Sequence, residues 1–210
     1  MPFESNLRIE CEQILGKDWV KDDPVTLYTY RCDGLTLYSA PPMAVVFPGK
    51  VKELISIVKL LNRHKISFIA RGAGTGLSGG AVPQEKSVII EMARFKEVHE
   101  IDWENRTITV GPGVINLRIS EHVNSEGFHY APDPSSQKAC TIGGNLAENS
   151  GGPHTLKYGV TVNHVLGMEI VLPDGELVTL GGKYFGMPGP DLLGLMTGSE
   201  GTFAIITKII

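Results

Sequence analysis

The chain has 210 residues, 42% hydrophobic and 20% charged, with 19 basic against 23 acidic side chains and a net charge of −4. That is enough polypeptide to bury a real core, and the balance is too acidic for a nucleic-acid footprint. No apolar run approaches the roughly 18 residues of a membrane span, and the opening Met-Pro-Phe-Glu-Ser-Asn lacks the basic-then-apolar pattern of a secretory signal, so a cytoplasmic protein is expected, with membrane association through partner subunits as the alternative.

Glu4 to Leu15 carries Leu7, Cys11, Ile14 and Leu15 at helical spacing, with Gly16 as its stop. Residues 17 to 47 hold Pro24, Gly34, Pro41 and Pro42 and read as an extended lead-in that closes in a short buried strand, 44–47. A helix over 49–64 presents Val51, Leu54, Ile55, Val58 and Leu61 as one apolar stripe. Strands 66–70 and 87–92 then flank the loop Ala70-Arg-Gly-Ala-Gly-Thr-Gly-Leu-Ser-Gly-Gly80. Its glycines tolerate positive φ and close approach, so several N–H groups can turn toward one anion.

Gly74-Thr-Gly76-Leu-Ser-Gly79 satisfies the G-x-G-x-x-G pattern of dinucleotide-binding folds, but that fingerprint needs a helix to begin at the loop. Here Gly79-Gly80-Ala-Val-Pro83 opposes one, and no Gly-Lys-Ser/Thr closes a Walker A loop. What remains is a phosphate loop between two strands with no helix behind it.

A second unit begins near His99. Residues 106–110 alternate as a strand, Gly111-Pro-Gly113 turns it, and 116–126 form a helix stopped by Gly127. Tyr130 to Tyr158 is long and aperiodic, rich in glycine, hydroxyl and amide side chains, which favours a functional loop. Strands 166–172 and 176–179 make a hairpin around Pro173-Asp-Gly175. A short helix, 191–196, and the loop Gly198-Ser-Glu-Gly-Thr202 lead to an apolar strand, 203–210, that would be an edge liability unless paired.

Cys11, Cys32 and Cys140 are far apart and form no C-x-x-C pair, which disfavours a disulfide framework, a zinc finger or an iron–sulfur cluster. The six histidines show no H-x-x-x-H spacing, and no metal site is expected. Trp103 is expected in the core. Tyr130, Tyr158 and Tyr184 suit either core or stacking, and Arg71 has a better position than Arg31 for meeting an anion.

Six ordered motifs now resemble a known family: Asp33-Gly-Leu-Thr, Arg71-Gly-Ala-Gly-Thr-Gly, Pro132-Asp-Pro-Ser-Ser136, Thr141-Ile-Gly-Gly-Asn145, Lys157-Tyr-Gly159 and Gly198-Ser-Glu-Gly-Thr202. They resemble the FAD-binding, PCMH-type domain of the vanillyl-alcohol oxidase superfamily. Within it the chain is similar to the glycolate oxidase flavin subunit and the D-lactate and D-2-hydroxyacid dehydrogenases.

The resemblance implies an α+β, two-subdomain PCMH-type FAD-binding fold whose C-terminal substrate domain is missing. Its parts would be an N-terminal helix and lead-in (1–36), a first subdomain (37–98) and a second (99–210). It implies non-covalent FAD, since the glycine loop has no histidine for a tether. Cofactor contacts are implied at Pro48, Arg71, Gly72, Ala73, Gly74, Thr75, Gly76, Leu77 and Ser78. Further contacts are implied at Pro132, Asp133, Ser135, Ser136, Thr141, Gly143, Gly144, Asn145, Asn149, Gly151, Gly152, His154, Tyr158, Gly159 and Val165. Glu200, Gly201 and Ile205 complete the set.

The implied reaction passes a hydride from a 2-hydroxy acid, of glycolate or D-lactate type, to flavin N5. In relatives the catalytic residues come mainly from a following domain, so no catalytic residue is assigned. An iron–sulfur or other electron-transfer subunit is the implied partner. A flavin-binding or assembly subunit without turnover, a same-fold oxidase of another alcohol or an amine, and a non-flavin phosphate-binding module remain alternatives.

Overall fold

The computed structural model describes residues 5–183 and 189–210. It begins with α1 (Ser5–Leu15), whose Leu7, Cys11 and Leu15 are buried. Glu4, expected to open that helix, lies outside the described residues, as does Tyr184. The stretch read as an extended lead-in instead contains β1 (Val20–Lys21) and α2 (Pro24–Thr29). The local cause of α2 is plain: Asp23 accepts the Thr26 N–H at 2.9 Å, and Pro24 sits in the first turn, where a missing N–H is no loss.

β2 (Ala44–Val46), α3 (Val51–Arg63), β3 (Phe68–Arg71) and β4 (Val88–Glu91) follow. The sheet order is β1-β2-β4-β3, with β2 and β3 both parallel to β4 and β1 antiparallel at the edge. β2 and β4 are buried along their whole length, as the apolar runs 44–46 and 88–90 require of parallel strands. α3 buries Leu54, Ile57, Val58, Leu60 and Leu61 against this sheet, and α1 shares the same core. Between β3 and β4 the glycine loop runs without a helix.

The second sheet takes β5 (Val98–Asp102) and β6 (Thr107–Val110); after it come α4 (Asn116–Val123), α5 (Ile142–Ala147) and α6 (Thr155–Tyr158). β7 (Gly167–Val171), β8 (Leu177–Gly181), α7 (Leu192–Met196) and β9 (Ile205–Ile209) complete the chain. The order is β5-β6-β9-β7-β8, antiparallel throughout. β9 is therefore interior: Ile209 stands opposite Val110 on one side and Met168 on the other, which removes the edge liability.

Two elements escape the sequence pattern. β5 pairs with β6 through a register shift between Val98 and Glu100, so its apolar residues do not alternate. α5 lies inside the passage read as aperiodic, and its first turn holds two glycines, poor helix formers. Packing explains Gly143: a Cβ there would lie 2.6 Å from Pro112 Cβ. Among the described residues no helix is long and apolar enough to cross a membrane.

Leu61 is fully buried in α3, whereas Leu156 is fully exposed. Leu61→Ala is expected to cost roughly 2–5 kcal/mol in urea denaturation, and Leu156→Ala less than about 0.5 kcal/mol.

Candidate functional site

The glycine loop and α5 face each other across a cavity of about 480 Å³. Among the described residues, no protein acceptor takes the backbone N–H of any residue from Gly72 to Ser78. Gly72, Gly74, Thr75 and Gly76 are half-buried, where N–H groups are nearly always paired, so these donors are laid out for something outside the chain. Across the cavity Thr141, 6% exposed, holds the position before the first turn of α5, yet its Oγ1 makes no capping bond and has no partner. A Cβ on Gly72 would collide with that hydroxyl. A glycine and an unpartnered oxygen therefore stand in close approach across the two loops.

Arg71, Gly72, Ala73, Gly74, Thr75, Gly76, Leu77 and Ser78 all line the cavity. So do Ser135, Ser136, Thr141, Gly143, Gly144, Asn145, Glu200, Gly201 and Ile205. The remaining expected contacts lie off its wall. Pro48 is buried between β2 and α3. The Pro132 carbonyl accepts from Asn116 Nδ2 at 3.2 Å, and Asn149 Oδ1 accepts the Val162 N–H at 3.0 Å. Gly151 and Gly152 pass close to Thr155 and Asp133, and Gly159, at φ 82°, ends α6. Asp133 is paired with His154 Nδ1 at 2.5 Å, and that bond holds the carboxyl below its ordinary range. Tyr158 and Val165 line a separate hollow of about 350 Å³ beside the second sheet. Trp103, expected in the core, is 44% exposed on the rim of that hollow and stacks on Phe128 at 6.2 Å.

Arg71 does not extend its guanidinium into the cavity as a free cation. Nη1 donates to the carbonyls of Cys32 at 2.9 Å, Ala81 at 3.0 Å and Tyr30 at 3.4 Å, and the side chain is buried beneath the loop. Asn145 is likewise turned inward, donating to Cys140 Sγ at 3.3 Å and accepting from Asn116 at 2.9 Å. Arg31 lies over the Tyr28 ring, 3.7 Å from its centroid.

Sequence reasoning missed Glu148, Cys140, Met92 and Pro112, which line the same cavity. Glu148 accepts a hydrogen bond from Ser78 Oγ at 2.7 Å and so ties the loop to the end of α5. Only the Glu after Asn145-Leu-Ala hinted at it, and nothing local distinguishes that Glu from a solvated one. Glu91 is 5% exposed opposite Arg71 in the β3–β4 register and accepts the Ala93 N–H at 3.2 Å; burial pushes its carboxyl up to about 7, against the pull of Arg71. Among the described residues no group of His, Cys, Asp and Glu could hold a metal ion.

With this geometry in view, comparison with known proteins is direct. The family model for the FAD binding domain matches residues 42–181. The chain belongs to this family. It is 50% identical over 180 residues to the glycolate oxidase subunit GlcD of Escherichia coli (strain K12), covering 86% of this chain and 36% of that protein. It is 40% identical over 184 residues to D-lactate dehydrogenase of Archaeoglobus fulgidus, covering 85% of this chain and 41% of that one. Among solved structures, an alkyldihydroxyacetonephosphate synthase superposes with a TM-score of 0.87 at 25% identity, over 99% of this chain and 40% of its own. The chain thus spans about two fifths of the length of these relatives. The cofactor of the family is FAD, and the unspent donors and the orphan Thr141 hydroxyl fit an anionic cofactor of that kind.

The Glu91 environment has a measurable consequence. Below about pH 4.5 the carboxyl is protonated in both folded and unfolded chains; between there and about pH 7 only the folded chain keeps its proton. The contribution of Glu91 to stability therefore falls as pH rises through that window, by on the order of 3 kcal/mol in all. Glu91→Gln is expected to be more stable than the parent at about pH 8, with the difference vanishing near about pH 4 in urea denaturation.

Proposed function

We propose that this chain is the FAD-binding portion of a flavin-dependent oxidoreductase that oxidises a 2-hydroxy acid of the glycolate or D-lactate type. The observation that carries the reading is the run of N–H groups without a protein acceptor from Gly72 to Ser78, lining one cavity together with the unpartnered Thr141 hydroxyl. FAD brings two phosphate charges into a chain of net charge −4. Oriented backbone dipoles meet that need without a lysine patch.

In this reading the Gly72–Ser78 amides hold the pyrophosphate, and Thr141 Oγ1 adds a side-chain hydrogen bond. Gly143 and Gly144 let the backbone close on an extended ligand, and Met92 and Ile205 supply apolar wall. Glu200 and Gly201 stand at the rim toward the flavin or adenosine end. Cofactor binding is non-covalent, because the loop offers no histidine for a tether.

When bound, FAD supplies a hydride acceptor at flavin N5; the protein orients the cofactor and tunes its surroundings. The likeness to a glycolate oxidase subunit and to a D-lactate dehydrogenase supports the substrate class. The word subunit in the first name supports a partner, for which an iron–sulfur or other electron-transfer protein has the right chemistry.

Purified chain supplied with FAD is expected to retain a flavin absorption band through gel filtration. Thr141→Val keeps the shape and removes the hydroxyl; it is expected to weaken FAD binding about tenfold, and unchanged affinity would take the hydroxyl out of the site. Anaerobic substrate addition tests the chemistry. Bleaching of the band by glycolate or D-lactate supports the 2-hydroxy-acid reading, and bleaching by a benzylic alcohol alone overturns it.

A further inference from the structure

The segment Tyr30–Leu35 lies before residue 42, where the family match begins, and none of its residues lines the cavity. Yet it bonds the glycine loop at Gly76 and Gly79, and through Arg71 it is tied to Ala81. Asp33 is 6% exposed, and its two carboxylate oxygens are both used: Oδ2 accepts the Gly79 N–H at 2.9 Å and Oδ1 accepts the Leu35 N–H at 2.9 Å. The next residue, Gly34, donates its N–H to the Gly76 carbonyl at 2.9 Å; a Cβ on Gly34 would sit 2.9 Å from Thr75 O and 3.0 Å from Gly76 O. Arg71 then ties the same segment to the far end of the loop, through Cys32 O at 2.9 Å and Ala81 O at 3.0 Å. Its guanidinium fills the space under Gly74, which has φ 65° and where a Cβ would collide with it.

A loop this rich in glycine has more conformations to lose than an ordinary sequence of its length. Its donors are useful to an anion only if they already point one way, since ordering them at the moment of binding subtracts from affinity. The bonds of Asp33, Gly34 and Arg71 spend the Gly79 N–H and the Gly76 and Ala81 carbonyls on the strap side. That leaves the Gly72–Ser78 amides as the groups that remain for the cavity.

We propose that Asp33 and Arg71 are positioning residues of the flavin site, clamping Tyr30–Leu35 beneath the glycine loop so that its amides are preset for the cofactor. The proposal rests on the flavin reading above. It also implies a reciprocal effect: if the strap orders the loop for FAD, bound FAD must steady the strap, although none of Tyr30 to Leu35 lines the cavity.

The test is FAD titration of the whole chain, read by flavin fluorescence, beside amide exchange with and without FAD. Asp33→Ala is expected to weaken FAD binding by about tenfold to a hundredfold. Asp33→Asn keeps one acceptor oxygen and is expected to fall between it and the parent. In the parent, FAD is expected to slow exchange over residues 30–35, a change that a purely structural role for Asp33 does not require. FAD affinity of Asp33→Ala within about twofold of the parent, with exchange over 30–35 unmoved by FAD, overturns the proposal. Should Asp33→Ala fail to fold, Asp33→Asn carries the test, and parent-like affinity there overturns it equally. A parent chain that takes up no FAD overturns the flavin reading instead. The strap is then judged from the cofactor-free chain, where Gly79 N–H exchange no faster in Asp33→Asn than in the parent overturns the clamp.

Discussion

A polypeptide that leaves a continuous run of amides without acceptors must be held in that shape from behind. The stretch from Gly72 to Ser78 contributes no helix and no strand, so neither ladder fixes it. Its carbonyl at Gly76, its exit at Gly79 and its far end at Ala81 are bonded instead to residues 30–35 and to Arg71. The glycines answer to both sides. Gly72 is small because Thr141 lies above it, and Gly74 because the Arg71 guanidinium lies below. The composition of the loop is thus set by close packing as much as by any ligand.

That constraint needs a rigid frame, and the two sheets provide it together. The first gives the loop its ends at Arg71, on the half-buried β3, and at Val88, on the fully buried β4. The second places Thr141 and α5 opposite. Val171 and Ile205 of the second sheet pack in the core of the first, so the separation across the cavity is fixed by interlocked side chains. Ser78 and Glu148 add a polar tie at the rim. In a low-dielectric setting of this kind an anion is better met by several fixed dipoles than by one mobile ammonium. Arg71 illustrates the division of labour: its charge sits near the cavity, while its hydrogen bonds hold the scaffold.

Much of this was legible in the residues. The apolar stripe of α3, the Asp174-Gly175 hairpin and the absence of a helix after the glycine loop follow from periodicity and turn chemistry, and the structure has all of them. The facing of the glycine loop and Thr141 was also foreshadowed, through motif resemblance. Other features depended on partners distant in the chain. Arg71 looked like an anion ligand because the carbonyls of Tyr30, Cys32 and Ala81 cannot be seen from its neighbours in sequence. Trp103 looked like core because an indole usually is, yet it finds its stacking partner, Phe128, at the surface.

α5 marks the limit of local reasoning most sharply. Ile142-Gly-Gly-Asn-Leu-Ala is a poor helix by propensity, and its Thr141 does not cap. Ile142 and Leu146 anchor it in the second core, and Pro112 leaves room at position 143 only for hydrogen. A conventional helix start would have spent the Thr141 hydroxyl on the backbone and filled Gly143 and Gly144 with side chains. The first change would take the free hydroxyl from the cavity wall, and the second would raise helix propensity but collide with Pro112 at position 143. The local weakness and the open, donor-lined space are therefore two aspects of one arrangement, and a conflict between propensity and packing is where a site of this kind should be looked for.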